Sequence, residues 1–160
     1  MVTQKLIKKL FSYEDGKLIR RIGRSGGGKV GSPAGHYNDS GYLIVGIGGS
    51  AHRVHRLVFL YHYGYIPTNI DHINGVRDDN RIENLRACTI SQNGFNMKAR
   101  ENCSSKFKGV SWSKERRLWE AYVNTGNIRK RLGRFWDEEV AAQIVSIERV
   151  RSHKEFANNG

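Results

Sequence analysis

Asp71 and His72 are adjacent in the chain, and Asn84 and Asn93 follow at intervals of twelve and nine residues. A carboxylate beside an imidazole at a strand end suits metal-assisted hydrolysis. The carboxylate holds a divalent cation while the imidazole takes a proton from water. Adjacent strand residues point to opposite faces, so one side chain grips the ion while the other faces a phosphate. Asn93 offers an amide oxygen, a hard ligand suited to Mg²⁺. One carboxylate and one amide leave the rest of the ion's shell to waters and a substrate phosphate, as Mg²⁺ prefers.

These residues need elements to place them. Ile70–Ile73 reads as a brief strand, Asn74-Gly75 as a turn, Val76–Glu83 as a polar loop and Asn84–Cys88 as a returning strand. Thr89 followed three residues later by Gln92 is a capping box, which predicts a helix from there through Arg100. Upstream, Tyr42–Ile47 is an apolar strand closed by Gly48-Gly49-Ser50. Arg53–Tyr63 then spaces Val54, Leu57, Val58 and Tyr61 as one helical stripe, with His55 and Arg56 flanking it as surface or interfacial side chains. The first 20 residues predict a short helix and then a strand around Lys17–Arg21. RSGGGKVGSPAG, residues 24–35, has the outline of a phosphate loop but carries Val30 where the motif needs a hydroxyl, and Pro33 prevents a following helix; it reads as a basic loop.

Beyond a polar stretch at 101–107, which reads as a linker, three strands are expected at Gly109–Ser113, Leu118–Asn124 and Ile128–Phe135. Asp137 caps a last helix, with Glu138 and Glu139 complementing its dipole. Val140, Ala141, Ile144, Ile147 and Glu148 are expected to form the face it turns to the sheet. Alternation puts Trp119, Ala121 and Val123 on that side, and Glu120, Tyr122 and Asn124 on the other. Ile128, Lys130 and Leu132 alternate with Arg129 and Arg131 in the same way. Trp119 reads as core; for Trp112 a core and a contact role both stand.

The 160 residues allow one domain or two small ones. The formal net charge of +12 is concentrated in residues 1–30, net +6, and 104–136, net +7, around a nearly neutral centre. Two basic blocks point to a polyanionic partner. No stretch of about 18 apolar residues is present, so no membrane helix is expected. MVTQKLIKKLF has no apolar run or small-residue cleavage site, so no secretory signal is expected. Cys88 and Cys103 alone exclude a disulfide framework and a cysteine-cage zinc site, which fits a reducing, cytoplasmic setting.

DHINGVRDDNRIENLRACTISQN, together with Tyr42–Val45 and Val54–Val58, resembles the HNH nuclease family over roughly residues 40–100, in particular phage homing endonucleases of the His-Asn-Asn variant. The resemblance implies a ββα-metal fold that cuts phosphodiester bonds with one divalent ion. It assigns His72 as general base, Asp71 and Asn93 as metal ligands, and Asn84 as the residue that braces the loop and orients the histidine backbone. Asn80 is a rival for the bracing role, and Asn96, one turn beyond Asn93, is a candidate to assist it or, more simply, a surface residue. With Asn93 where many relatives have His, Mg²⁺ or Mn²⁺ is expected.

Phe107–Val110, Trp119–Val123, Leu132–Phe135 and Glu138–Ala142 carry a second resemblance, to the ethylene-response-factor type of DNA-binding domain. That family lays its three-stranded sheet in the major groove, which implies Tyr122, Asn124, Arg129 and Arg131 as the groove face. Ser111 and Ser113 replace arginines usual there, so the set of base contacts is altered. Lys114, Arg116, Arg117 and Trp112, near the first turn, are expected at phosphates, and Lys29 and Arg24 add backbone grip.

The expectation is an α+β chain: an HNH nuclease domain over 1–100 with a basic N-terminal extension, a linker over 101–107, and an ethylene-response-factor-like domain over 108–160. The activity expected is site-specific, metal-dependent cleavage of double-stranded DNA by a monomer, in the host cytoplasm if phage-encoded. The alternative is a DNA-binding regulator that does not cut. A third reading, an RNA-binding module, fits the charge but neither resemblance.

Overall fold

The computed structural model describes residues 2–23, 28–96, 103–126 and 128–158. The chain folds as two compact units, Met1–Cys88 and Thr89–Gly160.

In the first unit, α1 (Gln4–Leu10) starts at Thr3, whose hydroxyl accepts from the Leu6 N–H. It leads into an antiparallel hairpin of β1 (Phe11–Glu14) and β2 (Lys17–Arg20). Only the second of these strands is expected from the sequence. Next come β3 (His36–Tyr37), β4 (Leu43–Ile47) and β5 (Ser50–Arg53), a three-stranded sheet in the order β3-β4-β5. The helix α2 (Val54–Tyr63) ends at Gly64, whose φ of 79° is the left-handed cap conformation. Leu57, Val58, Phe59 and Leu60 bury with Ile7, Leu18, Val45 and Leu85 to form this unit's core. β6 (Asn69–His72) and β7 (Leu85–Cys88) pair antiparallel, with Asp71 opposite Arg86 and His72 opposite Leu85.

The second unit opens with α3 (Ile90–Asn96), and the capping box forms. The Gln92 N–H donates to Thr89 Oγ1 at 3.2 Å and the Thr89 N–H to Gln92 Oε1 at 2.8 Å. The expected continuation to Arg100 lies outside the described residues. α3 packs within this unit: the Phe95 ring stacks on His153 at 3.8 Å, and Asn96, expected at the surface, is buried and accepts from Asn158 Nδ2. β8 (Val110–Ser113), β9 (Leu118–Thr125) and β10 (Ile128–Phe135) form an antiparallel sheet with β9 central, and α4 (Glu138–His153) packs on it. Asp137 caps α4, its Oδ1 accepting from the Glu139 and Val140 N–H groups. Of the stretch expected as a linker, Ser104 and Ser105 are tied into this unit: Ser104 Oγ accepts from the Trp112 N–H, and Ser105 Oγ donates to Glu138.

The face of α4 differs from expectation. Ala141, Val145 and Arg149 face the sheet, whereas Val140, Ile144 and Ile147 are exposed. The reason is the close approach at Gly109, which has φ of +84°. A Cβ there would lie 2.5 Å from the Tyr122 carbonyl oxygen and 2.9 Å from Val145 Cγ1. The helix edge that fits so near carries Ala141, Val145 and the Arg149 guanidinium, and the core is correspondingly lean: Val110, Ala121, Val123, Ala141 and Val145. Among the described residues no helix is long and apolar enough to cross a membrane.

Candidate functional site

Asp71 and His72 close β6, and both are buried. Asp71 Oδ2 accepts from Arg86 Nε at 2.9 Å and Nη2 at 2.7 Å, a charge-assisted pair across the β6–β7 ladder. His72 Nε2 lies 3.2 Å from Asn80 Oδ1. An amide oxygen accepts only, so this contact places the proton on Nε2 and the lone pair on Nδ1. Burial lowers the His72 pKa, opposed by the Asn80 bond and the Asp71, Asp79 and Asp78 charges, so the ring is neutral at pH 7. A neutral, tautomer-fixed imidazole is the form that takes a proton from water.

The two asparagines of the loop divide the work. Asn84 Oδ1 accepts from the Asn74 N–H, its Nδ2 donates to Asn74 Oδ1 and to the Asp79 carbonyl, and its own carbonyl accepts from the Ile73 N–H. These bonds tie the loop to the main chain next to His72. The imidazole itself is held by Asn80, which is 2% exposed. From the sequence, Asn80 is only a rival for the brace.

The sequence makes His55 a flanking side chain of α2, but it is buried with its ring edge-on to His72, centroids 5.1 Å apart. Burial first, then the charges of His72, Arg53 and Arg56, push its pKa down to about 3. Tyr42 completes the ring cluster, 5.4 Å from His55 and 6.2 Å from His72. A polar residue beside an apolar helical stripe is the only mark of His55 in the sequence.

Among the described residues, no three His, Cys, Asp or Glu side chains converge as a metal cage. A structural zinc site, closed by four protein ligands, does not fit. A Mg²⁺-type ion does, since it keeps several waters and needs one or two carboxylates besides the substrate phosphate. Asp71 is the carboxylate that would hold it, in competition with Arg86. Asn93 is an exposed residue of α3, in the second unit.

The second unit gathers the groove-face residues. Arg129 stands opposite Asn124 and Arg131 opposite Tyr122. The Arg129 guanidinium lies 4.1 Å from the Tyr122 ring centroid, and its Nε donates to Asn124 Oδ1 at 3.4 Å. A shift of register between Arg131 and Gly133, whose φ is +146°, turns Arg134 onto this face, where it pairs with Glu120 at 3.0 Å. Strict alternation misses Arg134. Ser111, Tyr122, Arg129, Arg131 and Arg134 line one groove. Lys114, Arg116 and Arg117 are exposed at the β8–β9 turn. Trp112 is not with them: it pairs with Trp119, ring centroids 5.0 Å apart, on the side of the sheet that faces α4. Lys29 is exposed in the first unit, and Arg24 lies outside the described residues.

Residues 52–95 match the model of the HNH endonuclease family. The match takes in Asp71, His72, Asn80, Asn84 and Asn93, and supports an HNH nuclease domain. The chain is 40% identical over 75 residues to "Protein 3.8" of Escherichia phage T7, covering 46% of this chain and 62% of that protein. It is 34% identical over 108 residues to a protein named as an HNH endonuclease from Acanthamoeba polyphaga mimivirus, covering 66% of this chain and 55% of that protein. The chain thus spans little more than half the length of these relatives. No solved structure matches it.

Proposed function

We propose that this protein is a site-specific DNA endonuclease of the homing type, dependent on Mg²⁺ or Mn²⁺. It acts as a monomer on double-stranded DNA, in the host cytoplasm if phage-encoded. The observation that carries the reading is the buried Asp71-His72 pair with Nε2 of the imidazole held on Asn80, inside the segment that matches the nuclease family. His72 takes the proton of the attacking water on Nδ1. Asn80 fixes its tautomer, and Asn84 holds the loop that carries both. When bound at Asp71, the ion supplies positive charge to the phosphate as its negative charge grows. The role of Asn93 as a second ligand rests on the family resemblance.

In the second unit the ethylene-response-factor-like reader is the accompanying proposal. Arg129, Arg131, Tyr122 and Asn124 meet bases in the major groove, and Lys114, Arg116 and Arg117 meet phosphates. Lys29 and Arg24 add backbone grip. Trp112 packs on the opposite side of the sheet and is left out of this set.

One observation favours the non-cleaving alternative. A guanidinium already neutralises Asp71, which weakens it as a cation ligand. Supercoiled plasmid carrying candidate target DNA, incubated with Mg²⁺ or with chelator, separates the two. Metal-dependent nicking or linearisation that His72→Ala reduces by about 10²–10⁴-fold, with binding retained, supports the nuclease. Tight binding with no cutting in any divalent metal establishes the regulator.

A further inference from the structure

Resting on the nuclease reading, we infer that Arg53 and Arg77, gathered on the ring of Tyr42, form a grip for one DNA backbone phosphate beside His72. Arg53 ends β5 and its guanidinium lies 4.6 Å from the Tyr42 ring centroid. Arg77 comes from the β6–β7 loop, 5.4 Å from the same centroid, and its Nη1 donates to the Ser40 carbonyl at 2.8 Å. Two segments 24 residues apart thus bring two exposed cations to one ring, and that ring is 6.2 Å from the His72 imidazole.

Two of the other arginines around the site are neutralised by carboxylates. Arg86 is paired with Asp71, Arg81 with Asp79, and Arg56 donates to the Thr68 and Pro67 carbonyls. Arg53 and Arg77 have no carboxylate partner among the described residues. Holding two like charges on one ring costs Coulomb energy, which an anion between them relieves. The aromatic face limits the freedom of both guanidiniums in advance, so less is lost when each forms its forked bonds to phosphate oxygens. A phosphate held there shares the Tyr42 ring with the site of His72, and a fixed positive group on it counters charge developing in the transition state.

The test uses the full chain and duplex DNA, with single-turnover cleavage at saturating protein and the salt dependence of binding as separate readouts. Arg53→Ala/Arg77→Ala should slow cleavage by about 10²–10³-fold and lower the slope of log K against log salt by about 0.9, the share of one neutralised phosphate. Arg53→Lys/Arg77→Lys keeps the charge without the fork and should restore the slope while leaving cleavage slow. Lys5→Ala/Lys9→Ala, on exposed positions of α1, removes the same net charge. An equal fall in that variant, or an unchanged slope in the arginine variant, overturns the grip. If the wild-type protein binds but never cuts, the nuclease reading fails while the salt slope still decides whether these arginines hold phosphate.

Discussion

The polar residues of the two candidate sites are placed in opposite ways. In the first, His55, Asp71, His72, Asn80 and Asn84 are all buried, and hydrogen bonds and ring contacts fix tautomer and orientation within one compact cluster. In the second, Arg129, Arg131 and Arg134 lie in the open on a sheet whose core is five small apolar side chains. Buried polar groups are costly when a partner is lost and act as a set; exposed cations contribute by increments that salt screens. One unit is therefore built for an all-or-none event and the other for graded attraction. Single changes should break the first abruptly and erode the second.

The sharpest break is at Asn80. Asn80→Ala removes the acceptor of His72 Nε2 and releases the tautomer. Cleavage should fall by about 10²-fold or more, with a stability loss of about 1–3 kcal/mol from the unsatisfied buried groups. Asn80→Asp keeps an acceptor oxygen on the ring and should recover most of the rate. If Asn80→Ala loses stability but keeps the wild-type rate in single-turnover cleavage, Asn80 is a structural residue only.

Gly109→Ala reverses the direction of the comparison. Its φ of +84° and the 2.5 Å approach to the Tyr122 oxygen should cost the second unit about 3 kcal/mol. All three tryptophans, Trp112, Trp119 and Trp136, belong to that unit, so their fluorescence reports its unfolding directly. The tryptophan transition should move down sharply while tyrosine signals of the first unit move less. A common shift would mean that the units do not unfold separately.

Where sequence and structure agree, the information is local. The Thr89–Gln92 capping box, the Asp137 cap and the strands β8 to β10 depend on residues within a few positions of each other. β1, β3 and β5, of two to four residues, are not among the strands expected from the sequence. The working face of α4 depends on Gly109, far away in sequence, and the place of Arg134 on an irregularity at Gly133 that resets alternation. Asp71 and His72 are legible because the pair is contiguous. Asn80 and Asn84 are not separable, since two asparagines four residues apart on one loop offer the same chemistry until the loop is folded.

The buried imidazole of His55 makes the first unit sensitive to acid. Its pKa is pushed down to about 3 in the folded state, against about 6.5 when unfolded. Below pH 6.5 the unfolded chain therefore binds a proton that the folded chain refuses. Stability is complete above that pH and falls as pH drops toward 3, by about 2 kcal/mol at pH 5. His72 and His62 are lowered too and add to the slope. Denaturant titrations of wild type and His55→Gln at pH 7 and pH 5 isolate the contribution of His55. A difference between the two proteins that does not change with pH would show that His55 is not held neutral.

The smallest effect distinguishes the two sides of the second unit's sheet. Arg129 lies on the groove side, stacked on Tyr122, and Arg129→Ala should cost about 1 kcal/mol of discrimination at one base pair. The sequence puts Trp112 among the expected DNA contacts, but its register partner is Trp119 and both rings lie on the side toward α4. Trp112→Ala should thus leave that discrimination unchanged and register only as lost packing in thermal unfolding. The sheet has two faces but one charge pattern, and only the face bearing Tyr122, Arg129 and Arg131 carries cations without paired acids among the described residues. If Trp112→Ala weakens binding as much as Arg129→Ala does, at equal stability, DNA contacts the α4 side or the edge near the β8–β9 turn. The groove-side arginines would then serve solubility rather than recognition.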